Sequence, residues 1–510
     1  MFGGSPNTSS EHSLGCLLTR SKFSGRGFRR DAATGLRAAV APFALIVAFL
    51  FLSASHSLAA DWPTYRADNR RSGVTSESLR FPLSPAWTYS SPTPPQMAWT
   101  GPAKWDSYAN LRQLESMRNF DPAFFVIAVG DSVYFGSSVD DSVHCLDATS
   151  GTEKWVFPTD GPVRLPPAWH AGKIYFGSDD GFAYCLDAKQ GKLIWKQKPS
   201  GTESLLLNDG KLISHWPCRT GVVIENDLAY FGASLLPWEP SYLCAADAVT
   251  GALDGPGRYR LTLEHLTMQG AMLATSSRLY LPQGRQRPEM FERTNGRAIG
   301  GFGGSGQGGV FAVVSRTDEF MHGSGQNHGV EGELRGFDAN SRDYFVTFPK
   351  ATRIVVTDET AYLNTGVELS SFARTRYLEL GKRQTQLLAE QNKIKEQLKK
   401  LGNKAGEPEW DKLKADLQPL ESELATLPPK LSACYLWRTA ADCPHDLILA
   451  GPTLFAGGDD QVTAFDAATG KVLWSAPVNG KAHALVVANG HLLVSTDRGT
   501  IHCFRVGAGG

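Results

Sequence analysis

Three stretches of this chain carry an aspartate, a glycine four residues on and a tryptophan eight residues on. They are HCLDATSGTEKW with Asp147 and Trp155, YCLDAKQGKLIW with Asp187 and Trp195, and AFDAATGKVLW with Asp466 and Trp474. Weaker copies stand around Asp247, Glu292 and Asp338, another ends at Phe372, and a last one, HLLVSTDRGTIHCFRV, follows the third strong copy. A unit of about 40 residues that recurs in this way cannot bury its apolar face alone and must stack on its neighbours.

Each copy reads as alternating apolar strands bounded by turn residues. The Asp179–Gly181 and Asp459–Asp460 segments are hairpin turns. Asp179 and Asp180 have no glutamate partner in sequence, so they read as turn residues and not as calcium ligands. The D-A-x-x-G segment is a second turn, in which the aspartate can accept from backbone N–H groups two residues on. Four short strands per unit at this period predict an all-β fold, an eight-bladed β-propeller. The last copy lacks its tryptophan strand, and SPAWTYSS with Trp87 supplies one near the start of the chain. That N-terminal strand is expected to close the ring and remove its open edge.

The recurring thiols follow the same logic. Cys145, Cys185 and Cys503 stand two before the aspartate position, where other copies carry Ala464, Gly336 and Ala245. The slot asks for a small residue, so these cysteines read as small hydrophobes and the tryptophans as plates over the joints between units. No catalytic, cofactor-binding or metal-ligating residue is assigned on this basis, and no cofactor is expected.

Lysine plus arginine and aspartate plus glutamate both number 51. That balance leaves no basic footprint for nucleic acid. Arg29, Arg30 and Arg37 precede the uncharged run Ala38–Ala54, and Ser57 and Ala59 follow as small residues before a cut near Ala60. Basic, apolar and small in that order predict a secretory signal peptide, hence a periplasmic or secreted protein with no membrane span after cleavage. Uncleaved, the run would act as an anchor, which Pro42 and its shortness disfavour. The expected organisation is a leader over 1–60, an N-terminal segment over 61–123, propeller repeats over 124–510 and a helical insert over 375–430. Removing the leader takes Cys16 and leaves seven cysteines, an odd number without any CxxC.

The pattern A-x-D-x-x-T-G-x-x-x-W, nearly intact at Ala464–Trp474, resembles the tryptophan-docking repeat of the PQQ-like propeller family. That family includes quinoprotein alcohol dehydrogenases and the outer-membrane assembly protein BamB. DWPTYRADNRRSG at Asp61–Gly73 also resembles the start of many secreted members. The resemblance implies fold over roughly Asp61 to Val506, while one fold hosts both catalysts and scaffolds. A quinoprotein dehydrogenase implies PQQ, a Ca²⁺ site, an aspartate base and, in many members, two adjacent cysteines. No adjacent cysteine pair occurs here. The sequence therefore favours a non-catalytic, extracytoplasmic scaffold of BamB-like type that binds other proteins. The alternatives are a PQQ- and Ca²⁺-dependent oxidoreductase, or a propeller that binds a small ligand or glycan without turnover.

After Phe372 about sixty residues intervene before YLW ends at Trp437. Leu380, Leu387, Ile394 and Leu401 fall seven apart, and Trp410, Leu413, Leu417, Leu420, Leu424 and Leu427 alternate by three and four. That spacing predicts an α-helical hairpin inserted in the sixth blade, with arms of about 30–35 Å at about 1.5 Å per residue. Lys382–Lys404 holds seven basic and two acidic residues, while Glu407–Glu423 holds six acidic and two basic, so the arms attract each other. The hairpin 375–430 and the propeller loops are the expected surfaces for protein partners. Three other motifs are weaker. GFGGSG at Gly301–Gly306 has no helix to receive a phosphate and reads as a loop. His322, His328, Glu331 and Glu333 share one loop where a metal was weighed and not assigned. His215, Trp216, Cys218 and Arg219 sit in SHWPCRTG, expected either to line the channel or to cap the ring. Ser91–Ala123 is expected to drape over one face.

Overall fold

A computed structural model describes residues 60–99, 119–304, 308–323, 333–402 and 405–507, all within one compact unit, 56–510. The residues read as leader and signal peptide, including Arg29, Arg30, Arg37, Ser57 and Ala59, lie outside the described residues, as do His328 and Glu331.

The fold is almost wholly β. Six four-stranded antiparallel sheets follow one another along the chain, spanning 126–158, 168–197, 223–263, 273–301, 311–349 and 353–440; they are called sheets 1 to 6. An eight-stranded sheet follows, in which the long strand Val472–Ala488 serves two halves. One half takes the short strand Val74–Thr75 alongside Asp446–Ala450, and the other takes Leu83–Ser90 alongside Thr500–Val506. Trp87 faces Cys503 in that pairing, as expected of the closing strand.

Register explains the small-residue slot. Cys145 pairs directly with Trp155, Cys185 with Trp195, Ala464 with Trp474 and Ala245 with Tyr259. A bulky side chain opposite the plate would compete with it for the same face of the sheet. The three thiols are buried, and burial pushes them up to about 11 at Cys145 and about 12 at Cys185 and Cys503. They are inert packing groups.

Each plate reaches the next sheet. Trp155 Nε1 donates to Ala188 O at 3.2 Å, Trp195 Nε1 to Ala248 O at 3.0 Å, Trp437 Nε1 to Ala467 O at 3.0 Å and Trp87 Nε1 to Ala148 O at 2.9 Å. In these four the acceptor is the alanine after the turn aspartate, while Trp474 Nε1 donates to Leu83 O at 3.1 Å. That turn is held by its own carboxylate, as where Asp147 Oδ1 accepts from the backbone N–H of Thr149 and Ser150. Its glycine is needed twice over: Gly191 has φ +67°, and a Cβ there would meet the Trp155 ring at 2.6 Å. Between sheets 3 and 4 the same job falls to Tyr259, whose hydroxyl donates to Arg293 O at 3.1 Å. Apolar clusters join neighbouring sheets in turn, and one of them unites the eight-stranded sheet with sheets 1 and 2. The stack of sheets closes on itself, which is the propeller arrangement.

The segment 60–77 shows where the axis lies. Trp62 exchanges backbone bonds with Ala128, and Pro63 O accepts from Trp169 N. Asn69 donates to Ile224 O and accepts from Ala274 N, and Arg70 O accepts from Val314 N. Glu77 accepts from Gly490 N. One short stretch can touch the first strand of sheets 1 to 5 and both halves of the eight-stranded sheet only if those strands converge. DWPTYRADNRRSG is therefore the stopper at one end of the axis.

Two helices stand between the third and fourth strands of sheet 6, α1 at Arg374–Leu401 and α2 at Pro408–Ser432. Arg383 holds Glu423 through two bonds of 2.7 Å, and Lys395 lies 3.6 Å from Glu421. The base of α1 is anchored by Arg374, which pairs with Glu319 and donates to Thr317 Oγ1 and Asp358 O. Among the described residues no helix is long and apolar enough to cross a membrane.

His144, on the third strand of sheet 1, is gripped by Asp140 and Glu153, each at 3.0 Å, and stacks on Phe135. Burial pulls this imidazole down, but the bonds and charges of the two carboxylates outweigh it and hold it above its ordinary value of 6.5. A raised folded pKa stabilises fully below the unfolded pKa and fades as pH rises through the folded one. Urea midpoints measured from pH 6 to 9 are expected to fall across that window, and His144→Gln is expected to flatten the decline.

Candidate functional site

Above the stopper lies a polar centre built from segments far apart in sequence. Asp179, in the turn after the second strand of sheet 2, accepts from Arg219 Nε at 2.8 Å and Nη2 at 2.7 Å, and from Arg164 Nε at 2.6 Å. Arg164 Nη1 donates to Asp121 Oδ2 at 2.7 Å, and the same oxygen accepts from Ala98 N at 2.9 Å. All four charged residues are buried. Burial alone would raise Asp179, yet Arg164 and Arg219 outweigh it and hold its carboxyl below the usual range. Burial wins at Asp121, whose carboxyl is raised although Arg164 opposes it. Asp179 is thus the hub of a buried ion network, and the reading of this DDG segment as a plain turn is corrected. Asp180, its neighbour, accepts from Tyr184 Oη.

Trp99 joins this network to the axis. Its Nε1 donates to Gln269 Oε1 at 2.7 Å, and the Arg219 guanidinium lies 5.6 Å from its ring centre. Trp99, Leu165, Ala271, Val310 and the stopper's Tyr65 share one apolar cluster. Tyr65 packs edge-on against Phe125 at 5.2 Å. Its phenol is raised by burial, while the nearby Arg66, Arg353 and Arg71 pull the other way and Asp446 adds to the rise. By surface area the residue is half-buried.

Near the Tyr65 phenol stand the guanidiniums of Arg66, Arg71 and Arg353 and the carboxylate of Asp446. Arg66 is fully used: Nε donates to Arg71 O, Nη1 to Asp446 Oδ1 at 2.7 Å and Nη2 to Leu447 O. Arg71 is spent on Met272 O, Thr64 Oγ1 and its own turn. Arg353 is different. It donates Nη1 to Thr352 O, sits 3.9 Å from Asp446 through Nε, and shares the Phe311 ring with Arg66 from 5.4 and 5.2 Å. His483 lies beside this group, 4.5 Å from the His445 ring, and burial together with His445 and Arg353 pushes it down to about 2. It is neutral at any physiological pH.

The structure brings together Asp179 and Arg219 from the sequence reading, and Arg219 turns inward as the channel-lining alternative requires. Cys218 is buried beside Gly177, and His215 bonds Ser204, so neither reaches the centre. His322 is fully buried in a stack with Phe320 and Phe337, and burial lowers it to about 3. Among the described residues no three His, Cys, Asp or Glu side chains gather as a metal cradle, and all seven described cysteines are free. Residues 305–307 of the glycine-rich loop lie outside the described residues.

Comparison with known proteins follows the same lines. The family described as outer membrane protein assembly factor BamB matches residues 100–254, 139–299 and 397–508, well over half of the chain. A 1-butanol dehydrogenase (cytochrome c) of Thauera butanivorans is 29% identical over 177 residues, 31% of this chain and 23% of the relative. The dehydrogenase subunit of an alcohol dehydrogenase (quinone) of Gluconobacter oxydans is 30% identical over 141 residues, 24% of this chain and 17% of the relative. The chain thus spans less than a quarter of the length of either relative. The quinohemoprotein alcohol dehydrogenase of Comamonas testosteroni superposes with a TM-score of 0.53 at 14% identity, over 88% of this chain and 81% of that one, a likeness of fold. The expectation of no cofactor is overturned here: these relatives are dehydrogenases named for a quinone, a cytochrome or a haem. Recurrence of the thiols and indoles argued only that those residues are structural, and it never bore on the axis. The chain belongs to the PQQ-like propeller family described as outer membrane protein assembly factor BamB.

Proposed function

We propose that this protein is an extracytoplasmic, quinone-dependent oxidoreductase whose cofactor sits at the axis of an eight-bladed ring. The blade count follows from taking the eight-stranded sheet as two blades that share one strand. Placement outside the cytoplasm rests on the basic, apolar and small order of the first sixty residues. The observation that carries the reading is the charge cluster at Tyr65, where Arg66, Arg71 and Arg353 stand against the carboxylate of Asp446. A positive excess in an enclosed, poorly hydrated space favours an anionic ligand. Pyrroloquinoline quinone, a planar aromatic tricarboxylate, fits that chemistry. Arg353, whose Nη2 takes no bond among the described residues, would hold a carboxylate, and Tyr65 and Phe311 supply the flat walls. When bound, the quinone supplies the two-electron acceptor for an alcohol. The donor set for Ca²⁺ is not assembled among the described residues, so no role is given to a metal.

Titrating the exported protein with pyrroloquinoline quinone, with and without Ca²⁺, is expected to show saturable binding by absorbance. Dye-linked turnover of an alcohol should accompany it. Arg353→Ala is expected to weaken quinone binding about tenfold to a hundredfold, the loss of one charge-assisted bond worth about 1.5–3 kcal/mol. Absence of both binding and turnover would leave the protein-docking reading. That second reading draws support from an open groove of about 420 Å³ between α1 and strand Tyr344–Pro349, where Tyr344 and Leu388 are exposed.

A further inference from the structure

We infer that the helical arm pairs with the same arm of a second copy of this chain. One side of the arm is fixed by contacts between its helices. Gln391 Nε2 donates to Glu421 Oε1 at 3.3 Å, and Lys395 Nζ lies 3.6 Å from the same oxygen, so Lys395 and Glu421 share a side. Helical spacing sets Leu388 and Lys399 in line with Lys395 on α1, and Asp411, Gln418 and Ala425 in line with Glu421 on α2. All five are exposed, Leu388 at 42%. The groove of about 420 Å³ beside strand Tyr344–Pro349 reaches this side at Leu388. Between the two helices Ile394, Leu398 and Leu413 are only partly buried, and they belong to none of the apolar clusters that hold the propeller. One pair of helices leaves the flanks of its seam open, and a second pair covers them in a four-helix bundle.

Charge names the occupant. Over 390–401 α1 carries four lysines and two glutamates, and over 408–421 α2 carries four acidic residues and two lysines. Within one chain Lys399 has no ion-pair partner among the described residues, and Asp411 accepts from Gly406 N without meeting a cation. A side that is positive along one helix and negative along the other is complementary to itself, which favours a second copy over a protein of different character. A two-fold axis along the arm lays α1 of each copy on α2 of the other, positive excess on negative. An axis across the arm would set α1 on α1 and repel. Counted from Gln391 and Glu421 at about 1.5 Å per residue, Lys399 stands about 12 Å and Asp411 about 15 Å toward the tip. Leu388 and Ala425 stand about 4.5 and 6 Å toward the root. Parallel arms therefore bring Lys399 level with Asp411 of the second copy, and Leu388 level with its Ala425. The inference is independent of the oxidoreductase reading.

Sedimentation equilibrium of the full exported chain, at concentrations up to about 0.1 mM, is expected to show monomers and dimers in exchange. The dimer should weaken as salt is raised. Lys399→Asp and Asp411→Lys are each expected to weaken it about tenfold, because two-fold symmetry repeats the contact and like charges replace opposite ones. The double variant restores opposite signs and is expected to associate to within about threefold of the parent. Should a charge reversal fail to fold, by circular dichroism, Leu388→Ser reads the same side without altering charge and must weaken the dimer. The inference is overturned if the parent remains a single chain at every concentration or forms a species other than a dimer. It is equally overturned if a folded single reversal or Leu388→Ser associates like the parent, or if the double variant is no tighter than the single ones.

Discussion

Replacing Asp179 by alanine is expected to lower the unfolding free energy by about 3–5 kcal/mol, the cost of leaving buried charges without their partner. The side chain is 1% exposed and receives three charge-assisted bonds from Arg164 and Arg219. Without it two guanidiniums remain in an environment with only Asp121 to answer them, and burial already holds that carboxyl high. The comparison that isolates the effect is Asp147→Ala. Asp147 is half-buried on its turn, bonds the backbone N–H groups of Thr149 and Ser150 and lies 3.5 Å from Lys154, so about 1 kcal/mol is the expected loss. Urea unfolding at pH 7 measures both. Equal losses for the two variants would mean that the buried network contributes nothing beyond an ordinary turn.

The second large effect is expected at Trp195. This indole is 7% exposed, packs on Tyr175, and donates to Ala248 O of the next sheet. Its truncation to alanine removes about 150–250 Å² of apolar contact and leaves a cavity at the joint between sheets 2 and 3. A loss of about 3–5 kcal/mol is expected. Trp195→Phe keeps most of the plate but not the N–H, so it should recover all but about 1 kcal/mol of it. Because Trp195 lies outside the polar centre, quinone binding by the folded fraction should be unchanged. A Trp195→Ala protein that unfolds like the parent would show that the joints do not hold the ring together.

These two residues also mark how far the sequence could be read. Trp195 was legible because docking is a repeated geometric demand: one indole, one small residue opposite it and one glycine of the next turn under it, at Trp155 as at Trp195. Tyr259 was not, since a phenol four residues late in the unit does the same work through a different reach. Asp179 was seen and misjudged. Two aspartates and a glycine between strands obey the local rules of a turn, and nothing within ten residues shows that Arg164 and Arg219 arrive from the connections that precede sheets 2 and 3. Asp121 and Arg164 carried no signal at all, for each is a single charged residue in an irregular stretch. Arg66, Arg71 and Tyr65 lay inside a stretch recognised only by resemblance. Their role depends on first strands from seven places meeting around one short peptide, which is tertiary information. The heptad spacing of α1 and α2, by contrast, is local.

Residues 61–90 furnish both the axial stopper and the strand that pairs with Thr500–Val506. A ribosome must therefore reach Val506 before either the floor beside Tyr65 or the final seam can form. Chains that stop short of it would keep residues 61–90 unsettled and exposed to proteases. Competence to bind anything at the axis is in this way tied to synthesis through that last strand.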